Sequence, residues 1–147
     1  MTLKRVVITG LGAVTPIGNT IPEFWDSVIN GKSGAAPITN FDTETILTKT
    51  KFACEVKNFD LSLYMDRKEA RKVDKYTHFA IGAAVQAIED ASIDREKENL
   101  DRIGVVLGVG LGGVESFGEG IDTIHEQKKN GQELKVTPFF IPRIIGD

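Results

Sequence analysis

The sequence predicts an α/β fold in which parallel strands alternate with helices. Two short runs, residues 5–9 and 103–108, are rich in β-branched residues and lead into glycines, as buried strands of parallel sheets do. Between them, residues 76–91 have a helical pattern that is apolar around most of the circumference. Such a helix is expected to be buried between layers of structure.

The first predicted strand leads through a glycine-rich loop into a helix. Thr20 is a good N-cap, Pro22 lies in the first turn, and Glu23 follows the threonine by three residues, as in a capping box. Gly31 is expected to end this helix. Apolar residues follow at helical spacing, and we expect the first two of them in the core: Phe24, Trp25, Val28 and Ile29.

A further strand is predicted at residues 51–56, where alternation places Phe52, Cys54 and Val56 on one face. Cys54 is the single cysteine, and we expect it to be a small buried hydrophobic residue. A nucleophilic cysteine needs an activated thiolate, usually beside a histidine or a helix N-terminus. The sequence supplies no such neighbour for Cys54.

The strand at residues 103–108 leads into a glycine run and then into an amphipathic helix from Val114 to near Gly131. The run from Gly108 to Gly113 contains G-x-G-x-x-G, a pattern that binds phosphate where a strand meets a helix N-terminus. Two interpretations stay open. One is an α/β nucleotide-binding module that uses these glycines. The other is that they allow close packing or form a substrate-facing loop.

Three strands are few for a helix as apolar as residues 76–91. The tail at residues 137–147 is apolar and then begins a further element. We therefore expect that these 147 residues are not the whole fold. More chain, a partner or both would supply the missing surface.

A charged run at residues 66–75 is predicted to form a helix with a basic face. An acidic partner could dock on this face by charge complementarity. The alternative is a solvated face that acidic residues of the same run, such as Asp74, partly neutralise. The basic residues that share the face are Lys68, Arg71, Lys72 and Lys75.

The composition excludes several classes of protein. The chain has 18 Lys and Arg against 21 Asp and Glu, and 41% of its residues are hydrophobic, which fits a globular protein and argues against nucleic-acid binding. No apolar run approaches a membrane span, and the N-terminus reaches glycines too early for a signal peptide, so we expect a cytoplasmic protein without a membrane partner. No metal site is expected, and His78 and His125 are interpreted as surface or hydrogen-bonding residues.

Several segments together resemble the β-ketoacyl-acyl-carrier-protein synthases, and most of all the synthase II type of bacterial fatty-acid synthesis. The resemblance covers essentially the whole chain, because the motifs occur in the order of that family. The motifs are VVITGLGAVTPIGN at residues 6–19, FW at 24–25, GKSG at 31–34, RKEARK at 67–72, GLGG at 110–113 and TPFFIP at 137–142.

The resemblance implies a thiolase-like fold with the layers α-β-α-β-α and usually a homodimer, and residues 1–147 would be its N-terminal part. It implies an acyltransferase of fatty-acid elongation, which condenses an acyl thioester held on a cysteine with malonyl-acyl-carrier protein and releases carbon dioxide. No cofactor is implied. The family's nucleophilic cysteine and both its histidines would lie beyond Asp147, so residues 1–147 alone are expected to be inactive.

The resemblance also implies two peripheral sites. Leu111 matches a position that lines the acyl-substrate pocket, and Phe140 matches an aromatic that reaches the acyl-substrate pocket of the partner subunit. Neither Cys54 nor the two histidines match a catalytic position, so no catalytic residue is assigned within the chain. The positions that match the docking surface for acyl carrier protein are Lys68, Arg71, Lys72 and Lys135.

Overall fold

The computed structural model describes residues 3–46 and 48–145, and the chain divides into two compact units. The first unit consists of Met1–Asp60 and Gly82–Ile93. The second consists of Leu61–Ile81 and Asp94–Asp147. One long helix, Lys75–Asp90, contributes its first half to the second unit and its second half to the first.

The first helix and the two long helices lie close to their predicted positions, because their signals are local, whereas the charged run at residues 66–75 is divided and the last helix was not predicted. The helices are α1 (Ile21–Ile29), α2 (Arg67–Ala70), α3 (Lys75–Asp90), α4 (Val114–Lys129) and α5 (Phe140–Ile144). Short 3₁₀ turns occur at Leu61–Leu63 and Leu100–Arg102.

The capping of α1 follows the predicted pattern. The Thr20 side chain accepts a hydrogen bond from the Glu23 amide at 3.4 Å. The Glu23 carboxylate reaches back and accepts from the Asn19 amide at 2.8 Å. Gly31, with a φ of +62°, follows the end of the helix. The expectation that Trp25 lies in the core is wrong: α1 buries only Ser27, and Trp25 is 60% exposed.

In the first unit, the glycine-rich segment after residue 9 packs directly on α3. A Cβ added at Gly10 would lie 2.2 Å from the Ala87 carbonyl oxygen, and one at Gly12 would lie 1.9 Å from that of Ala83. These distances leave room only for glycine. The prediction that the alanines of this helix allow close approach is confirmed.

Only a small sheet is present among the described residues. β1 (Ala36–Pro37) pairs antiparallel with β2 (Phe52–Ala53), with Ala36 opposite Ala53. Cys54 follows β2 and is exposed, so the expectation that it is buried is wrong. The reason is that β2 is a two-residue edge strand and its neighbour Phe52 is exposed as well.

The parallel strands predicted at residues 5–9 and 103–108 are not formed among the described residues. Val6 is 91% exposed and Val106 is 99% exposed, and neither run joins a ladder. A parallel strand needs neighbouring strands for its hydrogen bonds and layers over both faces, and the described residues supply neither to these runs.

The burial of α3 is also less than predicted. Of its residues only Gly82 is buried, and most of its apolar side chains are half-buried. No apolar side chain among the described residues is fully buried. Much of the apolar surface of the described residues is therefore uncovered.

Candidate functional site

The charged run at residues 66–75 folds as two helices with a break between them. The Asp66 carboxylate caps α2 by accepting from the Lys68 amide at 2.6 Å and the Glu69 amide at 3.2 Å. Arg71 is the C-cap of α2. Lys75 belongs to α3, where its ammonium lies 2.9 Å from a Glu115 carboxylate oxygen. The prediction that Lys75 shares one helix face with the other basic residues is therefore wrong.

The remaining three residues, Lys68, Arg71 and Lys72, are called the basic cluster below. Lys72 pairs with Glu69 at 2.5 Å, one turn away on the same segment. Lys68 and Arg71 are exposed, and neither forms an ion pair with another described residue. Two of the three charges are thus available to a partner.

Asp74 joins the start of α3 to the start of α4. It is 9% exposed and is the only buried charged residue among those described. One carboxylate oxygen accepts from the Lys75 amide at 2.5 Å, and the other accepts from the Ser116 amide at 3.2 Å. Helix N-termini present unpaired amides, and a carboxylate between two of them is stabilised by both.

These contacts also determine the protonation of Asp74. Burial acts to raise the pKa of this carboxyl, but hydrogen bonds from the Ser116 hydroxyl and amide and from the Lys75 amide outweigh it. The nearby His78 acts in the same direction. The net effect is a pKa below the usual value, so Asp74 is held as the carboxylate.

Phe140 begins α5 and packs on α4. Its ring lies 6.3 Å from that of Phe117, in a stacked arrangement. A Cβ added at Gly120 would lie 2.1 Å from the Phe140 ring, so any larger residue at this position would displace the ring. Beside the ring is a cavity of about 200 Å³, whose lining includes Thr123 and Lys135.

Lys135 is held at the edge of this cavity by its backbone. Its amide donates to the Gln127 side chain at 2.8 Å, and the amide group of Gln127 donates back to the Lys135 carbonyl at 3.1 Å. The Lys135 ammonium lies 3.6 Å from the Glu133 carboxylate. Both predicted pocket and docking residues of this segment, Phe140 and Lys135, therefore border one cavity.

The C-terminal turn of α5 is fixed by three hydrogen bonds. The Arg143 guanidinium donates to the Arg71 carbonyl. The Gly113 amide donates to the Ile144 carbonyl at 3.2 Å. The Tyr76 hydroxyl donates to the Ile145 carbonyl at 2.6 Å.

The packing around the glycine run, residues 108–113, changes along its length. Leu111, the other predicted pocket residue, is 76% exposed. A Cβ added at Gly108 or Gly110 would meet nothing within 4 Å. At Gly113 it would lie 2.1 Å from the Arg143 carbonyl oxygen and 2.7 Å from a carboxylate oxygen of Asp74. Close packing, one of the two open interpretations, is therefore confirmed at Gly113, and nothing supports the nucleotide-binding alternative.

The histidines lie as predicted. His78 is half-buried, and its Nε2 lies 2.9 Å from the Ala70 carbonyl oxygen. His125 is exposed on α4. Within residues 3–46 and 48–145, no three metal-ligating side chains come together. No helix in the same ranges is long and apolar enough to cross a membrane.

Comparison with known families decides the relationship. The model of the β-ketoacyl synthase N-terminal domain matches residues 3–145. The chain belongs to this family. Two relatives are both named 3-oxoacyl-[acyl-carrier-protein] synthase 2. The one from Staphylococcus aureus (strain COL) is 42% identical over 144 residues, and the one from Synechocystis sp. is 43% identical over the same length. Each match covers 98% of this chain but 33% of the relative, so the chain spans about a third of their length.

Comparison with a solved ketosynthase structure shows the fold of this chain. That structure is described as a type II PKS acyl-carrier protein in complex with its ketosynthase bound to the hexaketide. This chain superimposes on a chain of that complex with a TM-score of 0.72 at 23% sequence identity. The superposition covers 98% of this chain and 37% of the other. The α/β, thiolase-like fold class predicted from the sequence is thus confirmed, for the third of that fold which the chain covers.

Two residues of this region could not be recognised from the sequence. Asp74 carries a weak signal, since an aspartate just before a helix is a typical N-cap. Its second contact, with Ser116, is 42 residues away. Arg143 carries no signal, because its partner Arg71 is 72 residues away and accepts through the backbone.

Proposed function

We propose that the protein is a 3-oxoacyl-[acyl-carrier-protein] synthase of which residues 1–147 form the N-terminal part. It joins an acyl thioester to malonyl-acyl-carrier protein in fatty-acid elongation. One carbon–carbon bond forms, the carbon–sulfur bond of the acyl thioester breaks and frees its thiol, and the malonyl carboxylate leaves as carbon dioxide. The observation that carries this proposal is 42% identity to a named synthase 2 across 98% of the chain. The nucleophile and the catalytic histidines are assigned to residues outside these 147.

The described residues serve delivery and binding of the acyl group in this proposal. The basic cluster and Lys135 dock the acidic acyl carrier protein, and Leu111 and Phe140 line the acyl pocket. The exposure of Lys68 and Arg71, without ion pairs among the described residues, supports docking. Phe140 borders a cavity of its own chain, and its assignment to the acyl pocket of the partner subunit rests on the resemblance alone.

The proposal extends to the localisation, oligomeric state, cofactors and partners of the whole enzyme. We propose a cytoplasmic homodimer that uses no metal and no cofactor and binds neither nucleic acid nor membrane. The similar ketosynthase solved with an acyl-carrier protein supports a carrier protein as the partner. Residues 1–147 alone are expected to form no condensation product.

The test is a condensation assay on the intact protein, with 3-oxoacyl product measured by mass spectrometry. Wild type is supplied either with acyl-carrier-protein substrates or with small acyl thioesters. Reversal of Lys68 and Arg71 to Glu should raise the KM for carrier-bound substrates by about tenfold, because charge complementarity steers and orients the encounter. Small thioesters, which do not need the dock, should be little affected. The wild-type preference for carrier-bound substrate should shrink as salt rises.

A charge-matched control is available on the last turn of α4. Lys128 and Lys129 are exposed and lie outside the basic cluster. Their reversal to Glu changes the net charge equally and should leave the KM for carrier-bound substrate near the wild-type value. Equal effects of the two double variants would mean that only net charge matters. Absence of any 3-oxoacyl product from the wild-type protein would contradict the proposed activity itself.

A further inference from the structure

Gln127 lies at the point where the chain leaves α4. Asn130 is the C-cap of this helix, and Gly131 after it has a φ of +62°. The Gln132 amide donates to the Gln127 carbonyl at 2.9 Å, and the Gly131 amide donates to the Lys128 carbonyl at 3.2 Å. These are the two hydrogen bonds of a Schellman motif, which ends a helix and turns the chain away from its axis.

The Gln127 side chain then binds the segment that follows the turn, residues 132–136. The Lys135 amide donates to Gln127 Oε1 at 2.8 Å, and Gln127 Nε2 donates to the Lys135 carbonyl at 3.1 Å. A side-chain amide carries both an acceptor and donors, so it can pair with both backbone groups of one residue, as a neighbouring strand does. The pair of bonds therefore fixes the orientation of the Lys135 backbone as well as its position.

No other hydrogen bond within residues 3–46 and 48–145 reaches the backbone of residues 133–136. The apolar residues on either side of Lys135, Leu134 and Val136, are exposed, so packing within the described chain contributes little. Gln127 is half-buried, whereas Lys135 is exposed. The two bonds from Gln127 therefore determine where the Lys135 side chain begins.

The Lys135 ammonium is accessible to an acidic partner. It lies 3.6 Å from the Glu133 carboxylate, and both side chains are largely exposed. An exposed ion pair of this kind contributes little free energy, so a carboxylate of the partner can replace Glu133. A backbone that is already fixed spares the partner the entropic cost of ordering it on binding.

We infer that Gln127 is a positioning residue for carrier docking, whose side-chain amide holds the Lys135 backbone and so presents the Lys135 ammonium to the acidic acyl carrier protein. The inference rests on the proposed function, in which Lys135 is a docking residue. It requires neither the basic cluster nor the acyl pocket, because both bonds join Gln127 to Lys135 alone.

The test is a double-mutant cycle in the intact protein, with the dissociation constant for acyl carrier protein measured by calorimetry. Gln127→Met keeps the length and helix propensity of the side chain but removes both hydrogen bonds. It should raise the dissociation constant about fivefold, and Lys135→Met should raise it by at least as much. In the double variant, Gln127→Met should add nothing to the effect of Lys135→Met, because it acts through that lysine.

The matched control is Gln132→Met, which makes the same substitution five residues further along the chain. Gln132 is exposed, and among the described residues only its backbone amide takes part in the turn. Gln132→Met should therefore bind the carrier protein as wild type does.

Two further measurements separate positioning from a general loss of structure. In the condensation assay, Gln127→Met should raise the KM for carrier-bound substrate about fivefold at an unchanged kcat, and small thioesters should be little affected. Hydrogen exchange should become faster at the Lys135 amide, which loses its acceptor. The Gln132 amide, which donates to the Gln127 backbone, should exchange as in wild type.

Several results would overturn the inference. They are unchanged carrier binding in Gln127→Met or in Lys135→Met, effects that multiply in the double variant, an equal effect of Gln132→Met, and unchanged exchange at the Lys135 amide. Absence of carrier binding by wild type would overturn it as well. If wild type binds the carrier protein but forms no 3-oxoacyl product, the proposed activity fails, and the binding cycle still decides the role of Gln127.

Discussion

Two segments of the chain share a sequence pattern and have different surroundings. Residues 5–12 and residues 103–113 both consist of a β-branched run followed by glycines. In the first, Gly10 and Gly12 lie against the backbone of α3 at distances that no other residue allows. In the second, Gly108 and Gly110 face open space. The same pattern therefore encodes a close packing contact in one place and an open loop in the other.

The difference lies in the opposing surface. The amides of Leu11 and Ala13 donate to the side chains of Asp90 and Gln86, at 2.9 Å and 3.3 Å. Alternate residues of an extended chain are about 6.6 Å apart, and helix positions four apart are about 6 Å apart, so the two repeats match. The alanines that face Gly10 and Gly12 follow the same spacing of four. Residues 103–108 have no such helix face opposite them among the described residues.

The largest expected effect tests this comparison directly, because the same substitution is made at a glycine of each segment. Gly12→Ala places a Cβ against the Ala83 carbonyl oxygen, a backbone atom that cannot rotate away. We expect it to lower the free energy of unfolding of the intact protein by about 3 kcal/mol or more, measured by urea denaturation. Gly110→Ala is the matched control: a Cβ there meets nothing within the described residues, so it should lower the free energy of unfolding clearly less than Gly12→Ala does. Similar losses at both positions would show that the second segment is packed as tightly as the first.

A second prediction concerns the packed end of the second segment, beside Asp74. Asp74→Asn keeps the shape of the side chain but replaces one of its two accepting oxygens by an NH₂ group. The remaining oxygen can accept from the Lys75 amide or from the Ser116 amide, and the NH₂ group then faces the other amide, which is also a donor. We expect a loss of about 1–3 kcal/mol at neutral pH, because a buried donor is left unsatisfied.

The same variant has a pH signature. The folded-state pKa of Asp74 is lowered, so its contribution is complete above the unfolded value of about 3.9 and is lost as pH falls through the folded pKa. Wild type should therefore lose more stability than Asp74→Asn when the pH is lowered from about 6 to about 3. The control is Asp94→Asn, which removes a partly exposed carboxylate whose pKa is lowered mainly by its hydrogen bond with the Lys97 side chain. Asp94→Asn should lose nearly as much stability as wild type over the same pH range. A wild-type acid profile in Asp74→Asn would mean that Asp74 is not the group that titrates.

The helices could be predicted from the sequence because their signals lie within a few residues. The cap of α1 joins Thr20 to Glu23, and the glycines that follow α1 and α4 both have a φ of +62°. The strands could not be assigned reliably, because a ladder depends on partners far along the chain, and a β-branched run does not specify whether they are present. The basic cluster is visible as a local charge pattern, whereas the roles of Asp74 and Arg143 depend on contacts 42 and 72 residues away.

The smallest effect on stability is expected at Leu111, in the open part of the second segment. Leu111 is 76% exposed among the described residues, so Leu111→Phe should lower the free energy of unfolding less than any of the variants above. If Leu111 lines the acyl pocket, the larger ring occupies the space of a growing chain, and overpacking of about 1–3 kcal/mol would fall on long substrates alone. In the intact protein, kcat/KM should therefore drop about tenfold for long acyl groups and little for short ones. Equal losses at all chain lengths would remove Leu111 from the pocket and leave this segment a solvent-exposed loop.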